Sequence, residues 1–210
     1  MSKAVMLSIR PKWCEKIASG EKTIEVRKTK PKLETPFKCY IYCTAERAGY
    51  DALWVLDAPT REKYSFMAVS AYLESPKGAN KGNGKVIGEF TCERIVPITY
   101  DGGRLWCPTN AAFSPATCLS QTEIIAYIGD KGRCYGWHIS NLKIYNTPRE
   151  LGEFWQDCPE YSELSTNCWT CENVCGDGDE TDCDTDGRRY LRRPPQSWCY
   201  VEEMEKGETE

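Results

Sequence analysis

The sequence predicts an α+β fold, a small β-barrel with short helices and a cysteine-rich C-terminal extension. Segments with strand-type alternation recur along the first three quarters of the chain with only short helical patterns between them, which is the pattern of a barrel and not of a βαβ array. The 210 residues, 40% apolar and 11% aromatic, suffice for one buried core with an appendage. After Asp157 the composition changes: six cysteines (Cys158, Cys168, Cys171, Cys175, Cys183 and Cys199) lie among Gly, Asp and Asn with few aliphatic residues. The expected organisation is a barrel over residues 1–157, the extension over 158–193, a returning strand over 194–201 and an acidic disordered tail over 202–210.

Val5 to Ile9 is an apolar run of strand length, and Pro11 follows where proline opens a helix. Trp13, Cys14, Ile17 and Ala18 share one helical face, Lys12, Glu15, Lys16 and Ser19 the other, and Gly20 is the stop. Thr23 to Arg27 alternates, with Ile24 and Val26 on one side and Thr23, Glu25 and Arg27 on the other, so a half-buried strand with a charged outer face is expected. Phe37 to Cys43 is rich in aromatic and β-branched residues and reads as a strand. Residues 51–75 carry no decisive pattern. Gly78 to Gly84 reads as a polar turn, Val86 to Val96 as a long strand, and Ser120 or Thr122 as the cap of a helix ending at Gly129. Tyr135 to Tyr145 alternates again, and Thr147-Pro-Arg-Glu150 predicts a capping box opening a short helix to Trp155. Pro194-Pro195 precedes Ser197 to Val201, an expected edge strand.

Charge is distributed unevenly. The net charge is −4, yet the first 40 residues carry ten Lys or Arg against four Glu, so the rest of the chain sums to −10. A polyanionic ligand on the N-terminal part is therefore compatible with the acidic whole. No apolar run approaches the roughly 20 residues of a membrane span, and the first nine residues lack the apolar centre of a signal peptide, so a cytoplasmic protein with no membrane partner is expected. Thirteen cysteines, an odd number, fit a reducing compartment better than a fully paired secreted framework.

The single histidine, His138, leaves no Ser/His/Asp or Cys/His constellation to build and restricts a zinc site to mostly cysteine ligands. Cys168-x2-Cys171-x3-Cys175-x7-Cys183 presents four thiolates at spacings suited to one closed tetrahedral zinc, with Cys158 or Cys199 as substitute ligands. That zinc is the expected cofactor, in a structural role. Asp182, Asp184, Asp186 and Gly187 imitate the first half of a calcium loop, but Arg193 stands where the bidentate Glu belongs. Trp13, Trp54, Trp106, Trp155 and Trp198 are read first as packing residues.

Leu7-Ser-Ile-Arg-Pro-Lys-Trp13 and Ile17-Ala-Ser-Gly-Glu-Lys-Thr-Ile-Glu-Val-Arg-Lys28 resemble, in wording and spacing, the opening of ASCH domains, a PUA-like β-barrel superfamily. Gly84-Lys-Val-Ile-Gly-Glu-Phe90 is similar to the family's later strand, and Gly136-Trp-His-Ile139 with Pro148 to its closing segment, so the resemblance covers roughly residues 4–155. It implies a PUA-like barrel with a cleft between the first helix and the Lys22–Arg27 strand, suited to RNA or a nucleotide-like ligand. In such a cleft Lys12, Lys22 and Arg27 would hold phosphate or a carbonyl edge, Glu25 would accept from an amino group, and Trp13 or Trp137 would stack on a base. One branch of the family resembles amidohydrolases acting on acylated cytidine nucleosides through the lysine of a Lys-Thr-Ile-Thr motif. Lys22 matches that lysine, while Glu25 replaces the last threonine, making Lys22 and Glu25 the catalytic candidates if the chain belongs to that branch. Noncatalytic binding of RNA or a nucleotide-like molecule is the leading expectation, the amidohydrolase the second, and an interaction or structural protein the third.

Overall fold

The computed structural model describes residues 2–45, 52–64, 67–70, 77–109, 115–157 and 188–204. Strand β1 (Lys3–Ile9) leads into helix α1 (Pro11–Ala18), followed by β2 (Ile24–Arg27) and β3 (Phe37–Cys43). A smaller layer comes next: β4 (Leu53–Leu56), α2 (Ala58–Tyr64), β5 (Ala68–Ser70) and β6 (Ala79–Lys81). The long strands β7 (Val86–Asp101) and β9 (Arg133–Arg149) flank the short β8 (Arg104–Trp106) and α3 (Gln121–Ile128), and β10 (Trp155–Asp157), β11 (Arg188–Tyr190) and β12 (Trp198–Glu202) complete the described chain.

Seven strands form one mixed sheet in the order β12-β1-β3-β7-β9-β2, with β8 paired to β7; β5-β4-β6 and β10-β11 form two further sheets. Two of its strands are buried on both faces. Val5, Leu7 and Ile9 of β1 pack with Cys39, Ile41 and Cys43 of β3 against Cys14 and Ile17 of α1 and against Trp137. Ala4, Met6, Tyr40 and Tyr42, on the opposite faces of the same strands, pack under Phe154 and Leu191. This double burial explains why both segments read as nearly continuous apolar runs. A third cluster joins Ile24 and Val26 of β2 to Val96 and Ile98 of β7 and to Ile124 and Ile128 of α3.

The helix boundaries follow local chemistry. Pro11 occupies the start of α1, and Gly20, at φ +78°, lets the chain turn while its N–H donates to the Ile17 carbonyl at 3.0 Å. Ser120 caps α3 in a capping box with Glu123, and Gly129 closes it. Gly88 lies where β7 and β9 press together: a Cβ there would stand 2.4 Å from the Lys143 carbonyl oxygen.

Several expectations change. The sheet path ends at β12 and β2, so a closed barrel ladder is absent among the described residues; side chains described below span the gap instead. The charged face of β2 points inward, because the opposite face, Ile24 and Val26, is itself covered by α3 and leaves that strand no free side. No helix runs from Pro148 to Trp155. β9 continues through Arg149, which pairs with Val86, and the capping box forms three residues later, between Glu150 and Glu153, around a single 3-10 turn at Leu151–Glu153. Trp106 is exposed rather than packed. Residues 202–204, assigned from sequence to a disordered tail, are ordered: the Glu203 N–H donates to the Ser2 carbonyl and the Met204 N–H to the Tyr40 hydroxyl. The returning strand does form, with β12 antiparallel to β1 from Lys3–Glu202 to Leu7–Trp198. No helix among the described residues is long and apolar enough to cross a membrane.

Candidate ligand cleft

Lys22, Glu25 and Arg27 lie side by side inside the protein, 2%, 6% and 7% exposed. β2 pairs with β9 so that Glu25 stands opposite Trp137 and Arg27 opposite Tyr135, which places the charged face of β2 on the Trp137 side of the sheet, toward α1. Glu25 divides its carboxylate between two cations: Oε2 is 3.4 Å from Lys22 Nζ and Oε1 is 3.0 Å from Arg27 Nε. The second contact is ionic only, since the Nε–H is not aligned for a hydrogen bond. The three formal charges sum to +1.

Both cations also donate to backbone carbonyls, and Arg27 Nη1 reaches the Ser197 hydroxyl at 3.4 Å. Lys22 Nζ donates to the carbonyl of Thr117 at 2.7 Å and of Ile24 at 3.0 Å. Arg27 Nη2 donates to the Ser8 carbonyl at 2.8 Å, and Nη1 to the Ser197 carbonyl at 3.1 Å. Charged donors taken out of water need such partners, because an unpaired buried charge costs several kcal/mol. Trp13 of α1 lies over this cluster, half-buried. Its ring centroid is 5.2 Å from Lys22 Nζ and 4.6 Å from Nζ of the exposed Lys12.

Trp137 is fully buried, packed edge-on to Phe37 at 5.9 Å and tilted against Trp198 at 6.2 Å, so it is a wall of the core and unavailable for stacking on a base. Cys14, buried in the core beside Ile17, has its thiol pKa pushed well up by burial, which disfavours the thiolate a nucleophile requires. His138 is half-buried, and burial, with Arg94 nearby, lowers its pKa.

The structure thus brings Lys12, Trp13, Lys22, Glu25 and Arg27 together and withdraws Trp137 into the core. The carbonyls of Ser8, Thr117 and Ser197 had no sequence signal, since Thr117 and Ser197 are 95 and 170 residues from the side chains they receive. Cys158, Cys168, Cys171, Cys175 and Cys183 lie outside the described residues. Cys199 sits half-buried in β12, where burial pushes its thiol up to about 11, and among the described residues no three His, Cys, Asp or Glu side chains are grouped to hold a metal.

No family model matches the chain, and no curated protein matches it. Among solved structures it is similar to a crystal structure of ASCH from Zymomonas mobilis, with a TM-score of 0.49 and 14% identity over 95% of this chain and 88% of that one. Two mutant forms of that protein give TM-scores of 0.44 and 0.48 at 17% and 14% identity, covering 71% and 95% of this chain and 77% and 89% of theirs. The similarity is one of chain trace and carries no residue roles with it.

Proposed function

We propose that this chain is an ASCH-domain protein that binds RNA or a nucleotide-like ligand at the cleft between α1 and β2, without turning it over. One observation supports the reading above the others: the buried Lys22–Glu25–Arg27 cluster has an excess positive charge and lies directly behind the half-buried Trp13 and the exposed Lys12. In a low-dielectric surrounding such an excess favours an anion at the mouth. The division of labour follows from the hydrogen bonds. Lys22 and Arg27 hold the wall and set its charge, while Lys12 meets phosphate and Trp13 offers its ring to a base.

Titration of the full chain with a fluorescein-labelled oligouridylate, followed by anisotropy at two salt concentrations, tests this. Affinity should fall with salt. Lys12→Ala and Trp13→Leu should each weaken it, while melting curves show the fold retained. Absence of binding at low salt would overturn the reading and leave a small amidohydrolase or an interaction or structural protein.

A small amidohydrolase acting on acylated cytidine nucleosides is the second reading, favoured by the 3.4 Å approach of Lys22 Nζ to an acid. It requires that Lys22 release the Thr117 carbonyl during turnover. Hydrolysis of an acylated cytidine by the wild type, abolished in Lys22→Met, would establish it in place of noncatalytic binding.

A further inference from the structure

The face of the sheet that carries Glu25 and Arg27 continues beyond the cleft. Tyr135, opposite Arg27, is itself opposite Pro97 of β7; two residues along, Arg133 is opposite Thr99, and Thr99 is opposite Trp106 of β8. Arg104 follows on β8, opposite Asp101. Cross-strand partners share a face, so Arg27, Tyr135, Arg133, Trp106 and Arg104 lie on one surface of four adjacent strands. The other surface, with Val26, Ile98, Leu105 and Cys134, is filled by α3.

This surface grades from buried to open. Arg27 is enclosed, Tyr135 is half-buried with Lys30 Nζ 5.9 Å from its ring, and Arg133, Arg104 and Trp106 are exposed, Trp106 by 58%. An indole left in water adds little to the stability of a three-residue strand. Its neighbours give it another use: Arg104, Arg133 and Lys30 bring three cations to the open part of this surface, with Asp101 opposite Arg104. Aromatic platforms alternating with cations are the surface on which bases stack while phosphates are neutralised. From strand spacing and rise, Trp106 lies about 16 Å from Arg27, beyond the reach of one nucleotide.

We infer that the β8–β7–β9 surface is a track for single-stranded RNA, with Trp106 as a distal stacking platform and Arg104 and Arg133 as phosphate contacts, leading into the α1–β2 cleft. The inference rests on the RNA-binding reading and adds to it a length requirement: a strand long enough to reach Trp106 gains contacts that a mononucleotide cannot make.

The test compares a labelled 12-nucleotide oligouridylate with uridine monophosphate as competitor, using the full chain. The 12-mer should bind more tightly, and Trp106→Ala should weaken it roughly five- to a hundredfold while leaving the competitor's affinity unchanged. Trp106→Phe should retain most of the affinity, and Arg104→Ala and Arg133→Ala should each lower the salt slope by about one. If the 12-mer binds equally well to Trp106→Ala, the track is overturned and the cleft reading stands. If neither ligand binds the wild type, both fall. A dimer that dissociates on Trp106→Ala, with 12-mer affinity unchanged, would assign this surface to a second copy of the chain and overturn the track.

Discussion

Arg27 Nη2 donates to the Ser8 carbonyl oxygen at 2.8 Å, so a side chain on β2, the last strand of the sheet path, is tied to the end of β1 near the other edge. Its Nη1 reaches the Ser197 carbonyl just before β12. Among the described residues the backbone ladder stops short of closing, and this guanidinium spans the gap together with Trp198 Nε1, which donates to Thr29 Oγ1 at 2.9 Å. A planar donor set with fixed geometry suits this better than an ammonium on a flexible stem.

Arg27→Ala should therefore act first on stability. Removing one member of a buried ion pair and orphaning two carbonyls is expected to cost about 3–5 kcal/mol, and Arg27→Lys should recover only part of it. Lys28→Ala, losing an exposed ammonium 5.2 Å from the Tyr127 ring, should cost about 1 kcal/mol or less. Urea denaturation of the three variants measures the difference; equal small losses would show that Arg27 does not join the sheet ends.

Gly88→Ala should destabilise more than Gly136→Ala. At Gly88 the new methyl meets the Lys143 carbonyl oxygen at 2.4 Å, a backbone atom that cannot step aside, whereas at Gly136 it meets side-chain carbons of Ile24 and Val96 at 3.1 and 3.3 Å. Overpacking of the first kind costs about 1–3 kcal/mol or more. Melting temperatures in the opposite order would contradict this.

As the pH falls below the 6.5 of a free imidazole, the stability of the protein should decline, and His138 should account for it. Burial lowers its pKa below the 6.5 of a free imidazole. Below pH 6.5 the unfolded chain takes up a proton that the folded one refuses, so stability is full above that pH and is lost progressively toward the lowered folded pKa. His138 is the only histidine, which isolates the window. In His138→Gln the slope should flatten, as read from denaturation midpoints below that pH.

For the cysteine-rich extension the expected outcome is close to one zinc per chain. Cys168→Ser or Cys171→Ser should lose the metal. Cys199→Ser should retain it, because Cys199 sits half-buried in β12 and is not grouped there with other His, Cys, Asp or Glu side chains among the described residues. Metal analysis of the purified variants decides; a metal-free wild type would rule out the site.

Residues 1–45 were the most legible part of the chain. Pro11, the apolar face of Cys14, Ile17 and Ala18, and Gly20 delimit α1 by purely local rules, and the alternation through Arg27 located β2. Ser120 and Gly129 did the same for α3. Lys22, Glu25 and Arg27 were recognisable as a set because alternation puts residues 25 and 27 on one side. Their direction was not: alternation separates two faces without saying which one water touches. That depended on α3, a hundred residues later, covering Ile24 and Val26 and turning the charges inward. The box at Thr147–Glu150 failed for a related reason. Its local preference for a helix start lost to the cross-strand pairing of Arg149 with Val86, and only the next acid pair, Glu150 and Glu153, was free to cap.

The sequence by itself determined the positions of β1, α1, β2, β3 and α3, the central parts of β7 and β9, and the identity of the charged cluster, because those depend on periodicity and on residues within one turn of each other. Only the tertiary structure decided that the cluster is buried, that Arg27 bridges the two ends of the sheet path formed by the described strands, and that Trp106 remains in water on the same face. Each of these depends on partners distant in sequence, Ser197 for Arg27 and α3 for the opposite surface. A linear pattern has no term for the free energy of such contacts.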